Sequence, residues 1–201
     1  WLMASSHPGE ETLALQAHAL LRPQHPDALL IIAPRVPTRR DEVVALCPPG
    51  TPQRSAGAQL PTDAVVYIAD TIGEMGLWYR IAPVALVGGS FAPVGGHNPH
   101  EPLALGCAVL HGPNVWNFAE SYESLDRLAL SHPVPDAAQI ATAVAATWAS
   151  PATREDRRPA DPQVDAMLEQ LQAYLAWQQS TAITRARSGA RCPKPRNTAE
   201  P

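Results

Sequence analysis

The stretch Val87-Gly88-Gly89-Ser90-Phe91-Ala92-Pro93-Val94-Gly95-Gly96-His97-Asn98-Pro99-His100-Glu101-Pro102 sets two Gly-Gly pairs and a serine between an apolar run and a helix start. A strand that empties into glycine and then into a helix is a feature of α/β folds. Glycine reaches positive φ and lets backbone approach a ligand closely. The helix start adds unpaired N–H groups and the positive end of a helix dipole, which suits an anion. Glu101, one turn in, is placed to accept hydrogen bonds from a ribose diol. These properties together describe a site for a nucleotide that carries a phosphate and a sugar.

The rest of the chain repeats the strand-to-helix alternation. Apolar runs predict strands over 1–5, 29–33, 64–69, 84–87 and 108–110. Helical patterns follow over 10–21, 40–46, 73–81, 99–105, 118–130, 136–148 and 164–177, with a loop rich in Pro, Gly, Thr and Gln over 47–62. Continuous apolar strands alternating with helices predict an α/β fold, a parallel doubly wound sheet flanked by helices. Ligands of such sheets bind beyond the carboxyl ends of the strands. Ser6-His7, Pro34-Arg35, Asp70-Thr71 and Gly88-Gly89 all fall at those ends.

Composition narrows the partners. The 201 residues carry a net charge of −4 with no basic block ahead of the tail, which argues against nucleic acid. The three cysteines, Cys47, Cys107 and Cys192, are far apart and show no CxxC pattern, so no disulfide framework or zinc site is read and a reducing compartment is favoured. No apolar run reaches the roughly 18 residues of a membrane span. The chain opens on what reads as a strand under way, which suggests a piece of a longer protein. Residues 178–201, rich in Arg, Pro, Ser and Thr, read as a disordered tail.

Each motif has a plain structural alternative. Thr71-Ile-Gly-Glu74, Asn98-Pro-His-Glu101 and Asn117-Phe-Ala-Glu120 all fit a capping box, in which the Glu reaches back along its own helix. Pro99 suits a first helical position. Glu101 is therefore either a cap or a ligand to ribose. Gly73-Glu74 is either a tight turn or a backbone cradle for a base or phosphate. Arg35 is either solvated or aimed at a phosphate or base edge. Glu10 and Glu11 read as first-turn acids that complement the helix dipole. Ser6 and His7 are either caps or contacts to a carboxylate or phosphate, and His97 either binds a phosphate or orders its loop. The Trp residues at 78, 116, 148 and 177 read as core.

Taken in order, Ser6-His7-Pro8-Gly9-Glu10-Glu11, Pro34-Arg35, Asp70-Thr71-Ile72-Gly73-Glu74-Met75, Val87-Gly88-Gly89-Ser90, Gly95-Gly96-His97-Asn98-Pro99-His100-Glu101-Pro102 and Gly112-Pro113-Asn114-Val115-Trp116-Asn117-Phe118 resemble the C-terminal half of 3-deoxy-D-manno-octulosonic acid (Kdo) transferases. The resemblance covers residues 1–177. It implies a GT-B glycosyltransferase whose C-terminal Rossmann-like domain, here 1–177, binds the donor CMP-Kdo. Pro34, Arg35, Ile72, Gly73, Glu74, Met75, Asn98, Pro99, His100 and Glu101 would hold CMP. Ser6, His7, Gly88, Gly89, Ser90, Gly95, Gly96 and His97 would line the donor side of the cleft.

The same resemblance implies transfer of Kdo, with inversion, to a lipid A precursor in lipopolysaccharide synthesis. It places the whole enzyme at the cytoplasmic face of the inner membrane, in contact with the membrane surface. The family's general base is a Glu of an N-terminal acceptor domain, and a further basic residue lies upstream of the position of Trp1. No catalytic residue is therefore assigned in this chain, and the chain alone is expected to be inactive. No metal and no cofactor are expected. Two departures stand out: His100 where the family usually has an apolar residue, and Pro83 where an Asp is common. The alternatives are a GT-B domain for another nucleotide-sugar, such as a UDP-sugar, and a non-catalytic nucleotide-binding fragment.

Overall fold

The computed structural model describes residues 1–58 and 64–157. The helix expected over 164–177, the disordered tail over 178–201, Trp177 and Cys192 lie outside the described residues.

Six strands form one parallel sheet: β1 (Leu2–Ser6), β2 (Leu30–Pro34), β3 (Val66–Ile68), β4 (Val84–Val87), β5 (Ala108–His111) and β6 (Ser131–Pro133). The helices are α1 (Glu10–Leu21), α2 (Arg40–Leu46), α3 (Met75–Ile81), α4 (His100–Ala104), α5 (Ala119–Arg127), α6 (Ala137–Ala149) and α7 (Arg154–Arg157). The strand order is β3-β2-β1-β4-β5-β6, so the winding reverses between β1 and β4. At that reversal the connections leave in opposite directions and open a crevice beyond the carboxyl ends of the two strands.

The sheet is covered on both faces, which is why its strands read as unbroken apolar runs rather than alternating ones. Met3, Leu30, Ile32, Val84, Leu86 and Leu110 pack toward Ala14, Ala17, Ile140 and Val144 of α1 and α6. Their sequence neighbours Leu2, Ile31, Tyr67 and Ala85 turn to the other face, against Trp78 and Tyr79 of α3. Val87, Val109, Leu103, Tyr122 and Leu125 close the β5 side.

Several boundaries differ from the sequence expectation. The helix expected over 73–81 starts only at Met75, because Gly73 has φ 85° and belongs to the preceding turn. The helix expected over 118–130 ends at Arg127, with Ala129 at φ 55° turning the chain into β6. β6 was absent from the expectation, since Ser-His-Pro carries no apolar signal. Within the loop expected over 47–62, Gln53 bridges Ile68 in parallel, and Ile68 N–H donates to the Pro52 carbonyl at 3.0 Å. That segment covers part of the β3 edge, which would otherwise present unpaired backbone.

Candidate functional site

β1 ends in a bulge. Its pairing with β2 shifts between Ala4 and Ser6, and Ser5 takes φ 53°, a left-handed conformation that costs a non-glycine residue about 1–2 kcal/mol. Bulges of this kind re-aim side chains beside functional sites. Here Ser6 turns inward, so that its hydroxyl donates to Glu11 Oε1 at 2.7 Å, and Arg39 Nη1 reaches the same oxygen at 2.8 Å. On the neighbouring strand Gly88 lies so close that a Cβ would stand 2.4 Å from the Ser5 carbonyl oxygen. Only glycine fits there.

Glu10 joins the two loops of the switch point. Its carboxylate is buried and accepts from the backbone N–H of His7 and Gly89 at 2.9 Å each on Oε2, and from Phe91 at 2.9 Å and Ala92 at 3.3 Å on Oε1. By position alone Glu10 and Glu11 are first-turn acids that complement a helix dipole. Both are in fact internal anchors. Ser90 is equally internal, with its hydroxyl donating to the Val87 carbonyl at 2.6 Å and accepting from Gly112 N–H at 2.8 Å. The hydroxyls of Ser6 and Ser90 are thus committed to protein partners.

Beyond β2, Arg35 is exposed, and its N–H donates to the Ser6 carbonyl at 3.0 Å. Beyond β3, the Ile72 side chain is 87% exposed at the tip of a turn whose shape depends on Gly73. This turn is braced from an unexpected direction. Arg54 grips Glu74 with two parallel bonds, Nε–Oε2 at 2.9 Å and Nη2–Oε1 at 2.7 Å, and Thr71 Oγ1 also donates to that carboxylate. The Arg54 guanidinium and the Thr71 hydroxyl pull the Glu74 carboxyl down to about 2. Ser55 N–H donates to Asp70 Oδ1 at 2.8 Å.

None of the three capping boxes forms. Glu74 is held by Arg54 and occupies the cap position itself, without a side-chain cap bond. Asn98 Oδ1 accepts from His100 N–H at 2.9 Å, one residue short of a box, and Pro99 is the cap residue rather than the first helical one. Asn117 turns away, with its Nδ2 donating to the Val94 carbonyl at 2.8 Å. Glu101 is exposed and makes no hydrogen bond among the described residues. His100 Nε2 lies 3.1 Å from Ser121 Oγ and ties α4 to α5. Trp116 departs from the core expectation: it is 56% exposed, and its indole lies over Gly95, where a Cβ would stand 2.5 Å from Nε1.

At the centre, His7 and His97 meet across the crevice with Nε2 atoms 2.9 Å apart and rings stacked at 5.1 Å. Burial first, then His7 and Arg35, lower the His97 pKa below its ordinary value. The His97 carbonyl accepts from the Tyr122 hydroxyl at 2.9 Å.

The β1 and β4 loops, with Arg35 beside them, therefore carry Ser6, His7, Gly88, Gly89, Gly95, Gly96 and His97 to one crevice. Ile72, Gly73, Glu74 and Met75 follow β3, and Asn98–Glu101 follow the β4 loop. Sequence reasoning missed Arg54, which lies in a loop with no pattern to mark it. Glu10 sits at a fixed offset from Ser6-His7, and that was its only signal. No group of three or more His, Cys, Asp or Glu suited to a metal exists among the described residues. A groove of about 600 Å³ beside β6 and α6, edged by Leu130, Val134 and Ala143, includes none of these site residues. No described helix is long and apolar enough to cross a membrane.

No protein-family model matches the chain. The chain is 38% identical over 128 residues to the 3-deoxy-D-manno-octulosonic acid transferase of Haemophilus influenzae, a match that covers 62% of this chain and 30% of that protein. It is 37% identical over 163 residues to the transferase of the same name from Bordetella pertussis, covering 76% of this chain and 37% of that one. The chain thus spans about a third of the length of the curated relatives it matches. Among solved structures it superimposes on the C-terminal CMP-Kdo binding domain of WaaA from Acinetobacter baumannii with a TM-score of 0.72 and 33% identity, covering 78% of this chain and 83% of that domain. The fold is the C-terminal Rossmann-like half of a GT-B glycosyltransferase. The order of the motifs, the sheet that carries them and these likenesses agree: the chain belongs to the 3-deoxy-D-manno-octulosonic acid transferase family.

Proposed function

We propose that this chain is the donor-binding half of a Kdo transferase and takes CMP-Kdo at the switch point of its sheet. The observation that carries this reading is the 33% identity to a CMP-Kdo binding domain over most of both chains. The geometry supports it. Ile72 offers an exposed apolar surface to a planar base, Arg35 is exposed beyond the neighbouring strand, and the Glu101 carboxylate, without a hydrogen-bond partner among the described residues, suits a ribose diol. A carboxylate accepting from two hydroxyls is a strong, orienting contact.

Catalysis needs a second domain. An acceptor-binding domain N-terminal to this one would supply the base that deprotonates the acceptor hydroxyl, and transfer to a lipid A precursor at the inner face of the bacterial inner membrane follows from that reading. Calorimetric titration with CMP, against UMP, UDP and AMP, tests it. Selective binding of CMP is expected. Preference for UDP would move the domain to another nucleotide-sugar, and absence of nucleotide binding by the folded chain would leave the donor role without support.

A further inference from the structure

The glycine-rich loop after β4 is built like a phosphate cradle, yet many of its donors are spent. The N–H groups of Gly89, Phe91 and Ala92 all point at the Glu10 carboxylate, as does that of His7. Gly88 N–H donates to the Ala4 carbonyl at 2.8 Å, and Gly96 N–H to the Gly89 carbonyl at 2.7 Å. The start of α4 offers little in its place. Pro99 and Pro102 have no N–H, and that of His100 is taken by Asn98. A side-chain carboxylate already fills the place that an anion takes in other glycine-rich loops. The N–H groups of Gly95, Asn98 and Glu101 keep no partner among the described residues, so an incoming phosphate draws on side chains as well as on what backbone is left.

Two such side chains face each other at the crevice. We propose that His7 and His97 form the phosphate seat of the donor nucleotide, and that the pair takes up a proton when the phosphate binds. The proposal rests on the reading of this domain as a CMP-binding one.

The chemistry follows from the 2.9 Å separation of the Nε2 atoms. At that distance one nitrogen donates and the other accepts, so the contact holds a single proton. Protonating both would set two N–H groups against each other. A phosphate oxygen between or above the rings removes that conflict, because it accepts from both nitrogens, and its negative charge favours the imidazolium form. The groups facing His97 are His7 from the β1 loop, Arg35 from the β2 loop and Glu10 from α1. Burial first, then His7 and Arg35, disfavour a charge on His97, and a bound anion offsets the charge part of that balance. The Glu10 charge opposes an anion, but it is spread over four backbone N–H groups. The rings can move to accommodate a ligand, since both are only half-buried. In transfer, the bond from the sugar to the phosphate oxygen breaks and its electron pair stays on that oxygen. The phosphate then carries one more negative charge, which a protonated pair stabilises.

The test is calorimetric titration of the full chain with CMP and with cytidine at pH 7.5, in buffers of different ionisation enthalpy. CMP is expected to bind with net proton uptake of about half a proton or more, because its phosphate is already largely dianionic there. Cytidine is expected to bind weakly with none. His7→Gln and His97→Gln should each weaken CMP about tenfold, abolish the uptake and leave cytidine unchanged. CMP binding by the unaltered chain without proton uptake, or undiminished CMP affinity in both variants, overturns the proposal while the donor-domain reading stands. Failure of the unaltered chain to bind CMP overturns both. Should a variant fail to fold, ring-nitrogen NMR signals of the unaltered chain decide. A shift of His7 and His97 toward imidazolium on adding CMP supports the seat, and unmoved signals with CMP bound reject it.

Discussion

The Glu10 carboxylate lies 2.9 Å from the backbone nitrogen of Gly89, seventy-nine residues away and on the far side of the switch point. One buried side chain therefore sets the spacing of the β1 and β4 loops, and with it the spacing of His7 and His97. Glu10→Gln keeps the shape but turns an amide N–H₂ toward backbone donors. The expected loss is about 1–3 kcal/mol of stability, measured by urea unfolding. A change below about 0.5 kcal/mol, within the range of ordinary surface substitutions, would show that Glu10 is not the clamp.

Gly88 and Gly9 separate two reasons for glycine. A methyl at Gly88 collides with the Ser5 and Ala4 carbonyl oxygens, which are backbone and have little room to yield. At Gly9, φ is 93° but nothing lies within 4 Å, so only backbone strain opposes a side chain. Gly88→Ala should cost about 3 kcal/mol and loosen nucleotide binding, because it pushes β1 and β4 apart. Gly9→Ala should cost about 1 kcal/mol and leave binding intact. Thermal unfolding paired with CMP titration ranks the two, and a reversed order refutes the assignment.

Acid should release the β3 turn. The Glu74 carboxyl is held down to about 2 by Arg54 and Thr71, below its ordinary 4.5. A depressed folded pKa contributes stability above the unfolded value and loses it as pH falls. The difference in Tm between the unaltered chain and Glu74→Gln should therefore be constant above about pH 5 and shrink between 4.5 and about 2. The pair is partly exposed, so salt should also narrow the gap. A gap that does not change with pH would mean that Glu74 acts through packing alone.

His18 predicts a second window. Burial lowers its pKa to about 4, and its Nδ1 accepts from the Trp1 indole at 3.2 Å. The neutral ring is the folded form, so the unfolded chain binds the extra proton first. Stability should fall as pH drops from 6.5 to about 4. His18→Leu should flatten that slope in the pH dependence of Tm, although it leaves the indole N–H without its partner. An unchanged slope would place the titration elsewhere.

Glu101→Ala should weaken CMP by about 1–3 kcal/mol without loss of fold, since the carboxylate has no protein partner among the described residues. Arg35→Ala should also weaken CMP with the fold intact. Unchanged CMP affinity in a folded Glu101→Ala chain would sink the ribose role, and unfolding of Arg35→Ala would mark that arginine as structural.

Elements buried on both faces were legible from residue order alone. The unbroken apolar runs around Ile31 and Leu86 could only be strands covered by helices, and α1 and α2 fall at their expected bounds. The loops that follow β1, β2, β3 and β4 were legible for the same reason, since glycine, proline and charge mark the places where an apolar strand stops. β6 was not legible, because Ser-His-Pro joins the sheet only by pairing with β5.

Where the side chains within those loops point was decided by tertiary structure. Capping boxes are local patterns, and each lost to a distant partner or a shifted helix start. Arg54 took Glu74, Val94 took Asn117, and α4 began so that Asn98 met His100. Glu10, read as a helix-dipole acid, became an anchor because the fold brought the glycine loop to it. Sequence determined which segments are strands, which ends are open and which residue types gather there, since burial and backbone conformation act over a few neighbouring residues. Only the folded sheet decided which carboxylates are spent inside the protein and which, like that of Glu101, have no partner among the described residues. Hydrogen-bond partners across the switch point are set by strand order, and strand order is a property of the whole chain.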